Sequence, residues 1–344
     1  MTLLPPPSSV LVVTGAGGWL GRNLVGAAAA GRQRVRALVQ SADEVALLAL
    51  AGSSVEPVVG DVLDPGALDR LFDGLPPGAS VVHAAAVIHP TAGVRQVFDV
   101  NVGGTSMVLD RARRAGIGRL VHVSSNSPFG VNPHPSHAFD EASPYDPYLG
   151  YGASKREAEE LVVAAAHRGD VDAVIVRPPW FYGPHQPERQ TRWLRAVRRG
   201  RFPLVGDGSN RRSMVFTGNL VQGILRAEAA GATGEAYWIA DGEALTMVEI
   251  LATVRDAFRA EGLAVSGGSP RLPRLAGVVA ERGDRALQRV GRYHQALHVL
   301  GELKESIVCD IGRARRELGY EPEVDLFEGM RQSIRWSRAR GAEL

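Results

Sequence analysis

The 344-residue sequence predicts an α/β fold built on a doubly wound parallel sheet. Three observations predict it. Short, continuously apolar runs recur through the first half of the chain, as expected of strands buried on both faces. Stretches of helical character lie between them, at a pitch that suits βαβ crossovers. A glycine-rich turn, Thr14 to Gly21, separates the first run from the first helix.

Val10 to Val13 reads as the first strand and Leu20 to Gly31 as the first helix. Val35 to Val39 is the second strand, residues 43–51 a helix, and Val55 to Val59 a third strand ending on Gly60-Asp61. Leu68 to Phe72 suggests a helix before the fourth strand, Ser80 to His83, which opens into Ala84-Ala85-Ala86. One long helix is expected over Val94 to Ala115, with Asn101 inside it. Leu120 to Ser124 is a fifth strand, residues 151–167 a helix, and Val171 to Val176 a sixth strand. After Arg177 the rhythm breaks. Residues 178–214 are rich in Pro, Gly and Arg, with a helix expected at 189–200. Ser213 to Phe216 and Ala236 to Ala240 read as strands around a helix at 218–230. Further helices are expected at Leu245 to Glu261, over most of 275–300, and around 311–318 and 326–339. The C-terminal third reads as a smaller unit interleaved with the end of the sheet.

Composition excludes several classes. A formal net charge of +2 gives no field for a polyanion, so no nucleic-acid partner is expected. The single cysteine, Cys309, forms no internal disulfide and rules out a site of Cys ligands; it reads as a small buried residue. The nine His residues show no ligand spacing, and no metal is expected. No apolar run approaches the ~20 residues that span a bilayer. Residues 1–7 are uncharged and Pro-rich, and read as a flexible tail without the marks of a signal peptide. A cytoplasmic location is the expectation.

Gly15, Gly18 and Gly21 fall three apart in the first turn. Glycine lets the chain turn tightly and lets a pyrophosphate approach the backbone, where the first N–H groups of the helix bind it. Placement directly after the first strand makes this a dinucleotide signal, although the spacing is not the commoner Gly-x-Gly-x-x-Gly. Asp61 reads either as a helix cap, with Asp64-Pro65 just beyond, or as an acceptor for the adenine amino group. The second strand ends Leu38-Val39-Gln40-Ser41, with no acid at its tip. NAD binders usually place a carboxylate there for the ribose hydroxyls. Its absence favours NADP(H), with Arg36 a possible source of positive charge.

Tyr151 and Lys155 are four residues apart on a predicted helix, so they share a face. A free phenol titrates near ~10, and a close ammonium lowers that value. The pair can pass a proton to or from a substrate oxygen. The same spacing also occurs on solvated helix faces.

Taken together, these residues resemble the extended short-chain dehydrogenase/reductase family. The matching pieces run in the family's order: Thr14-Gly15-x-x-Gly18-x-x-Gly21, Gly60-Asp61, His83-Ala84-Ala85-Ala86, Asn101, Ser124-Ser125, Tyr151-x-x-x-Lys155, Arg177-Pro178 and Tyr182-Gly183-Pro184. The resemblance implies a Rossmann-type dinucleotide-binding domain over 8–180, with 213–240 returning to it, and a substrate-binding lid from 181–212 and 241–340. It implies a catalytic set of Ser125, Tyr151 and Lys155: the Ser hydroxyl polarises the reacting oxygen, the phenol transfers a proton, and the ammonium lowers the phenol's pKa. It implies NAD(P)(H) contacts from Gly15, Gly18, Trp19, Leu20 and Gly21, from Asp61 and Val62, from Ala84, Ala85 and Ala86, and from Asn101, Tyr151, Lys155 and Pro178. Ser124 and Ser154 are expected to be supporting hydroxyls. A homodimer is the default assembly.

Two branches of the family compete for the substrate. Gly206-Asp207-Gly208-Ser209-Asn210, Met214-Val215-Phe216 and Ala236-Tyr237-Trp238-Ile239 look like the 3β-hydroxysteroid and sterol dehydrogenases. Nucleotide-sugar epimerases and dehydratases are similar too. They often carry Asn where this chain has Trp180, a ring that suits an apolar substrate. Against that, Arg212 stands where those enzymes clamp a diphosphate. Ser125, Asn126, Trp180 and Arg212 are the expected substrate contacts. The reaction expected is hydride transfer between a nicotinamide and a secondary alcohol or ketone of a mainly apolar molecule. The alternative is an epimerase or dehydratase using the same Ser-Tyr-Lys site.

Overall fold

A computed structural model describes residues 8–31 and 34–344; the tail expected at residues 1–7 lies outside the described residues. The first half of the chain alternates strand and helix: β1 (Val10–Thr14), α1 (Trp19–Ala29), β2 (Arg34–Val39), α2 (Ala42–Leu48), β3 (Val55–Val59), α3 (Pro65–Phe72), β4 (Ser80–His83), α4 (Arg95–Phe98), α5 (Gly104–Arg114), β5 (Arg119–Val123), α6 (Leu149–His167) and β6 (Ala173–Arg177). The remainder holds β7 (Trp180–Tyr182), α7 (Glu188–Arg198), β8 (Leu204–Val205), β9 (Arg211–Arg212), β10 (Met214–Phe216), α8 (Thr217–Ala230), β11 (Ala236–Trp238), β12 (Leu245–Thr246), α9 (Met247–Ala260), β13 (Arg271–Leu272), α10 (Arg274–Arg289), α11 (Gln295–Glu302), α12 (Gly312–Leu318) and α13 (Leu326–Ala339).

Seven strands form one parallel sheet in the order β3-β2-β1-β4-β5-β6-β11. The order reverses between β1 and β4, so the carboxyl ends of these strands flank the crevice where such sheets bind ligands. Alternation within each strand supplies two cores. Leu11, Val13, Val35, Ala37, Val121 and Val174 face one side, against Leu24 of α1 and Ile224 of α8. Val10, Val12, Leu38, Val81, Leu120 and Ile175 face the other, against Leu71 of α3, Val108 of α5 and Val162 of α6. Burial on both faces explains why β1 and β6 read as nearly unbroken apolar runs, whereas β3 at the sheet edge is only partly covered.

A third core lies outside the sheet. Trp193 and Leu194 of α7, Ile250 and Val254 of α9, and Met330 and Ile334 of α13 pack there. β10 belongs to both regions: it pairs with β7 rather than with the large sheet, sending Met214 and Phe216 to this third core and Val215 to the sheet core. Thr246 and Glu249 form a capping box that starts α9.

The expected helix over Val94 to Ala115 is not regular. Asp99–Gly103 forms a π-turn between α4 and α5. The wide turn aims the buried Asn101 amide at Val87 and Ser154, which compensates for its irregular hydrogen bonding.

A buried ion pair joins α6 to the end of β6. Arg177 Nη2 lies 2.6 Å from Glu159 Oε2, with side-chain exposures of 6% and 0%. Removing one partner of such a pair strands a charge in the interior, whereas removing both does not. Arg177→Met is expected to lower unfolding free energy by about 3–5 kcal/mol in urea titrations. The double variant Glu159→Met/Arg177→Met should recover most of that loss; additive losses would show that the two groups are not coupled.

Candidate active site

The glycine turn is shaped by close backbone approach. Gly15 has φ +69, and a Cβ there would stand 2.8 Å from the Ala85 Cα. At Gly21 a Cβ would stand 2.1 Å from the Gly15 carbonyl oxygen. Gly18 caps α1 in extended conformation, with no side-chain hydrogen bond at the cap and no acid in the first turn. The first N–H groups of α1 therefore meet no side-chain carboxylate of that turn, which fits a bound pyrophosphate. Trp19 Nε1 donates to the Pro184 carbonyl at 2.8 Å, and Asn23 Nδ2 donates to the same oxygen at 2.9 Å, so α1 also holds the Tyr182-Gly183-Pro184 turn. Leu20 is buried beneath the turn.

At the edge of this cradle, Asp61 is not a helix cap. Its Oδ1 accepts from Leu63 N at 2.8 Å and its Oδ2 from Gln40 Nε2 at 2.9 Å, while Asp64 caps α3. Val62 is buried against Gly104. Ala84 N donates to the Thr14 carbonyl and Ala85 N to the Thr14 hydroxyl, which leads the chain past Gly15; Ala86 is exposed. The two arguments for NADP(H) meet contrary geometry. Arg36 turns away from the strand tip, pairing with Glu56 and donating to the carbonyls of Leu71 and Asp73. Glu44, from the first turn of α2, folds back so that Gln40 N donates to its carboxylate at 2.7 Å. That carboxylate covers Gly17, where a Cβ would meet it at 2.2 Å. An acid therefore stands beside the strand tip although none ends the strand itself.

Asn101, Ser154 and Tyr151 form a chain. Asn101 Nδ2 donates to Ser154 Oγ at 2.9 Å, and Ser154 Oγ donates to the Tyr151 carbonyl at 2.8 Å. Ser125 lies at the carboxyl end of β5, where its Oγ accepts from Ser127 N at 3.2 Å. Burial pushes the Tyr151 phenol up to about 12, partly offset by a hydrogen bond from Ser125 and by the charge of Arg189. This differs from the expectation that Lys155 lowers the phenol. The Lys155 ammonium turns toward the sheet, donating to the Val123 carbonyl at 2.8 Å and facing His122 Nε2 at 3.2 Å. Burial lowers its pKa to about 8, against the raising effect of Glu159. His122 is fully buried, and burial with the nearby Lys155 charge keeps it well below the usual imidazole range, so the neutral ring accepts. Ser124 is buried.

Each expected substrate contact has partners of its own within the chain. Asn126 N donates to the Pro178 carbonyl, which ties the Ser125 loop to the end of β6. Trp180 is half-buried, its ring edge-on to Trp193 at 5.0 Å. Arg212 is 7% exposed and donates through Nη2 to the carbonyl of Glu302, the last residue of α11. A cation at a helix C-terminus complements the helix dipole. Arg189 and His122 had drawn no attention in the sequence. Arg189 opens an arginine-rich stretch in which no spacing marks one side chain as inward, and His122 is one alternate position of a strand. Among the described residues, no group of three His, Cys, Asp or Glu side chains stands ready to hold a metal. Nor is any helix among them long and apolar enough to cross a membrane.

Comparison with known proteins extends this picture. Residues 11–240 match the model of the NAD dependent epimerase/dehydratase family. A 4-hydroxy-2-methyl-3-oxo-4-farnesyl-3,4-dihydroquinoline-1-oxide ketoreductase of Stigmatella aurantiaca is 32% identical over 92% of this chain and 93% of its own. Sterol demethylase protein B of Methylococcus capsulatus is 32% identical over 96% of this chain and 98% of its own. Among solved structures, the NAD-bound dTDP-glucose 4,6-dehydratase of Streptomyces venezuelae aligns with a TM-score of 0.76 at 29% identity, over 96% of this chain and 98% of that one. The chain belongs to the NAD-dependent epimerase/dehydratase family, a family of NAD(P)-dependent enzymes within the extended short-chain dehydrogenases/reductases.

Proposed function

We propose that this chain is an NAD(H)-dependent oxidoreductase acting on a secondary alcohol or ketone of a mainly apolar small molecule. One observation carries the choice of substrate class. Arg212, the cation that a sugar nucleotide's diphosphate would need, is buried and already donates to Glu302 at the end of α11. Trp180 adds an apolar ring at the start of β7. Two relatives support the reading by name, one a ketoreductase for a farnesylated ketone and one a sterol demethylase protein. The rival reading, a nucleotide-sugar epimerase or dehydratase, draws on the dTDP-glucose 4,6-dehydratase likeness.

In this reading Ser125 holds the reacting oxygen by its hydroxyl. Tyr151, neutral at physiological pH because burial raises its pKa, donates the proton to a ketone oxygen. Such help contributes ~10²–10⁴-fold. When bound, the nicotinamide supplies or accepts the hydride. Tyr151→Phe is expected to lower kcat at least ~100-fold, read by nicotinamide absorbance with prenylated and steroid ketones. Cofactor affinity should stay within about twofold, since one hydroxyl is lost from a large site. Wild-type turnover in that variant would sink the assignment of Tyr151. Dehydration or epimerisation of a dTDP- or UDP-sugar, with no turnover of apolar ketones, would select the rival.

Lys155 sets an alkaline limit. Its ammonium, lowered to about 8 by burial, is charged below that pH and loses its charge above it. A charged Lys155 would hold the nicotinamide ribose when the cofactor is bound, so reductive kcat/KM should fall as pH rises through about 8. Because the folded pKa lies below the unfolded value of 10.5, the cost of burying this charge is full below about 8 and is relieved toward 10.5. A flat rate profile from pH 7 to ~10 would contradict this role.

Cofactor choice follows Glu44. A carboxylate near the strand tip favours ribose hydroxyls and repels a 2′-phosphate. NADH should be preferred over NADPH, and Glu44→Gln should raise the kcat/KM ratio of NADPH to NADH by about tenfold, equivalent to ~1.4 kcal/mol. A wild-type preference for NADPH would overturn this.

A further inference from the structure

The catalytic helix begins in an unusual way. Leu149, the first residue of α6, has φ +57, a left-handed conformation that costs a branched side chain about 1–2 kcal/mol. Its N-cap, Tyr148, provides no side-chain hydrogen bond to the first turn. The next residue, Gly150, donates its N–H to Gln288 Oε1 at 3.1 Å. That acceptor comes from α10, 138 residues further along the chain. The cap that α6 lacks locally is thus supplied by the lid.

The reach of Gln288 depends on glycine at 150. A Cβ there would lie 2.6 Å from Val94 Cγ1 and 3.4 Å from Gln288 Oε1. The orientation of the amide is fixed as well. Gln288 Nε2 donates to both oxygens of Asp284, at 3.1 and 3.3 Å, one turn earlier on α10. A carboxylate only accepts, so the Gln288 carbonyl must face Gly150. Asp284 is 0% exposed, and its Oδ2 also faces His298 Nδ1 of α11 at 2.9 Å. The lid is pinned alongside by Val94 N, which donates to the Gly291 carbonyl at 3.0 Å.

We propose that Gln288 is a positioning residue: the lid helix α10 caps the catalytic helix from outside and thereby couples the seating of the lid to the placement of Tyr151. The inference rests on the reading of Tyr151 as the proton carrier. The backbone on either side of Tyr151 is held at two points, by Gln288 at the Gly150 N–H and by Ser154 at the Tyr151 carbonyl. Loss of the lid-side grip lets the first turn unwind from its left-handed start and displaces the phenol. Displacement by ~1 Å can cost on the order of 100-fold in rate.

The test uses the full chain with its cofactor. Gln288→Ala should lower kcat by about 10- to 100-fold, leaving the dissociation constant for the nicotinamide cofactor unchanged. Gln288→Met keeps the bulk but has no oxygen to accept from Gly150, so it should fall as far as alanine; retained activity would mean that only bulk matters and would overturn the proposal. A cleft of about 250 Å³ lined by Val94, Leu149, Gly150, Arg285, Gln288 and Arg289 adjoins the contact. Acetamide should enter it in the alanine variant and restore part of kcat. Amide hydrogen exchange gives a readout independent of turnover: the peptide spanning residues 149–155 should exchange faster in Gln288→Ala. Unchanged exchange would overturn the coupling whatever Tyr151 does. Faster exchange with undiminished kcat would overturn the positioning role, and Tyr151→Phe, tested separately, reports on the proton carrier itself.

Discussion

A charge pair buried between α6 and β6 dictates where the catalytic helix can lie. Glu159 sits on the same face of α6 as Ser154 and Lys155, and it has no exposure to solvent. A carboxylate so placed has to find its cation, and Arg177 at the end of β6 is that cation. The guanidinium is held in turn by the Phe129 ring at 4.5 Å and by the Tyr145 and Trp238 rings beyond it. Because one helical face carries Tyr151, Ser154, Lys155 and Glu159, fixing the last fixes the register of the others. The chemistry at one end of α6 thus depends on an electrostatic constraint two turns away.

The sheet was legible because strands buried on both faces leave little room for polar residues, and that pattern needs no tertiary knowledge. The glycine turn and the Tyr151–Lys155 spacing were legible for a related reason, since each encodes a local backbone geometry. Side-chain direction was not. Arg36 could face either side of β2, and Glu56 drew it away from the strand tip. Glu44 lies in the next helix in sequence, yet its carboxylate returns to the glycine turn. Lys155 is the right distance from Tyr151 along the helix, but the carbonyl of Val123 captures its ammonium. The wide turn at Asn101 was hidden because α and π stretches share the same composition.

The interior of this protein carries more charge than packing alone would favour. Lys155, Arg177 and Arg212 are all buried, and each is desolvated at a cost. Arg177 offsets that cost with a carboxylate. Lys155 and Arg212 rely on backbone carbonyls and, for Lys155, a neutral imidazole. Arg212 keeps its charge all the same, whereas burial lowers Lys155 to about 8, which makes it responsive to pH in the range where the phenol beside it is not.

The π-turn at Asp99–Gly103 has a consequence for how this segment can change over generations. A helix with a wide turn holds one residue more than a regular helix of equal span requires. Losing Asp99 or Val100, just before Asn101, would leave a smoother helix with uniform bonding. It would also swing Asn101 about 100° around the axis, away from Val87 and Ser154. Such a deletion improves the helix while undoing the grip on the Tyr151 carbonyl. The irregular turn is therefore a place where regularity and fitness pull in opposite directions, and where a single lost codon would be removed by selection for activity, with no help from selection for stability.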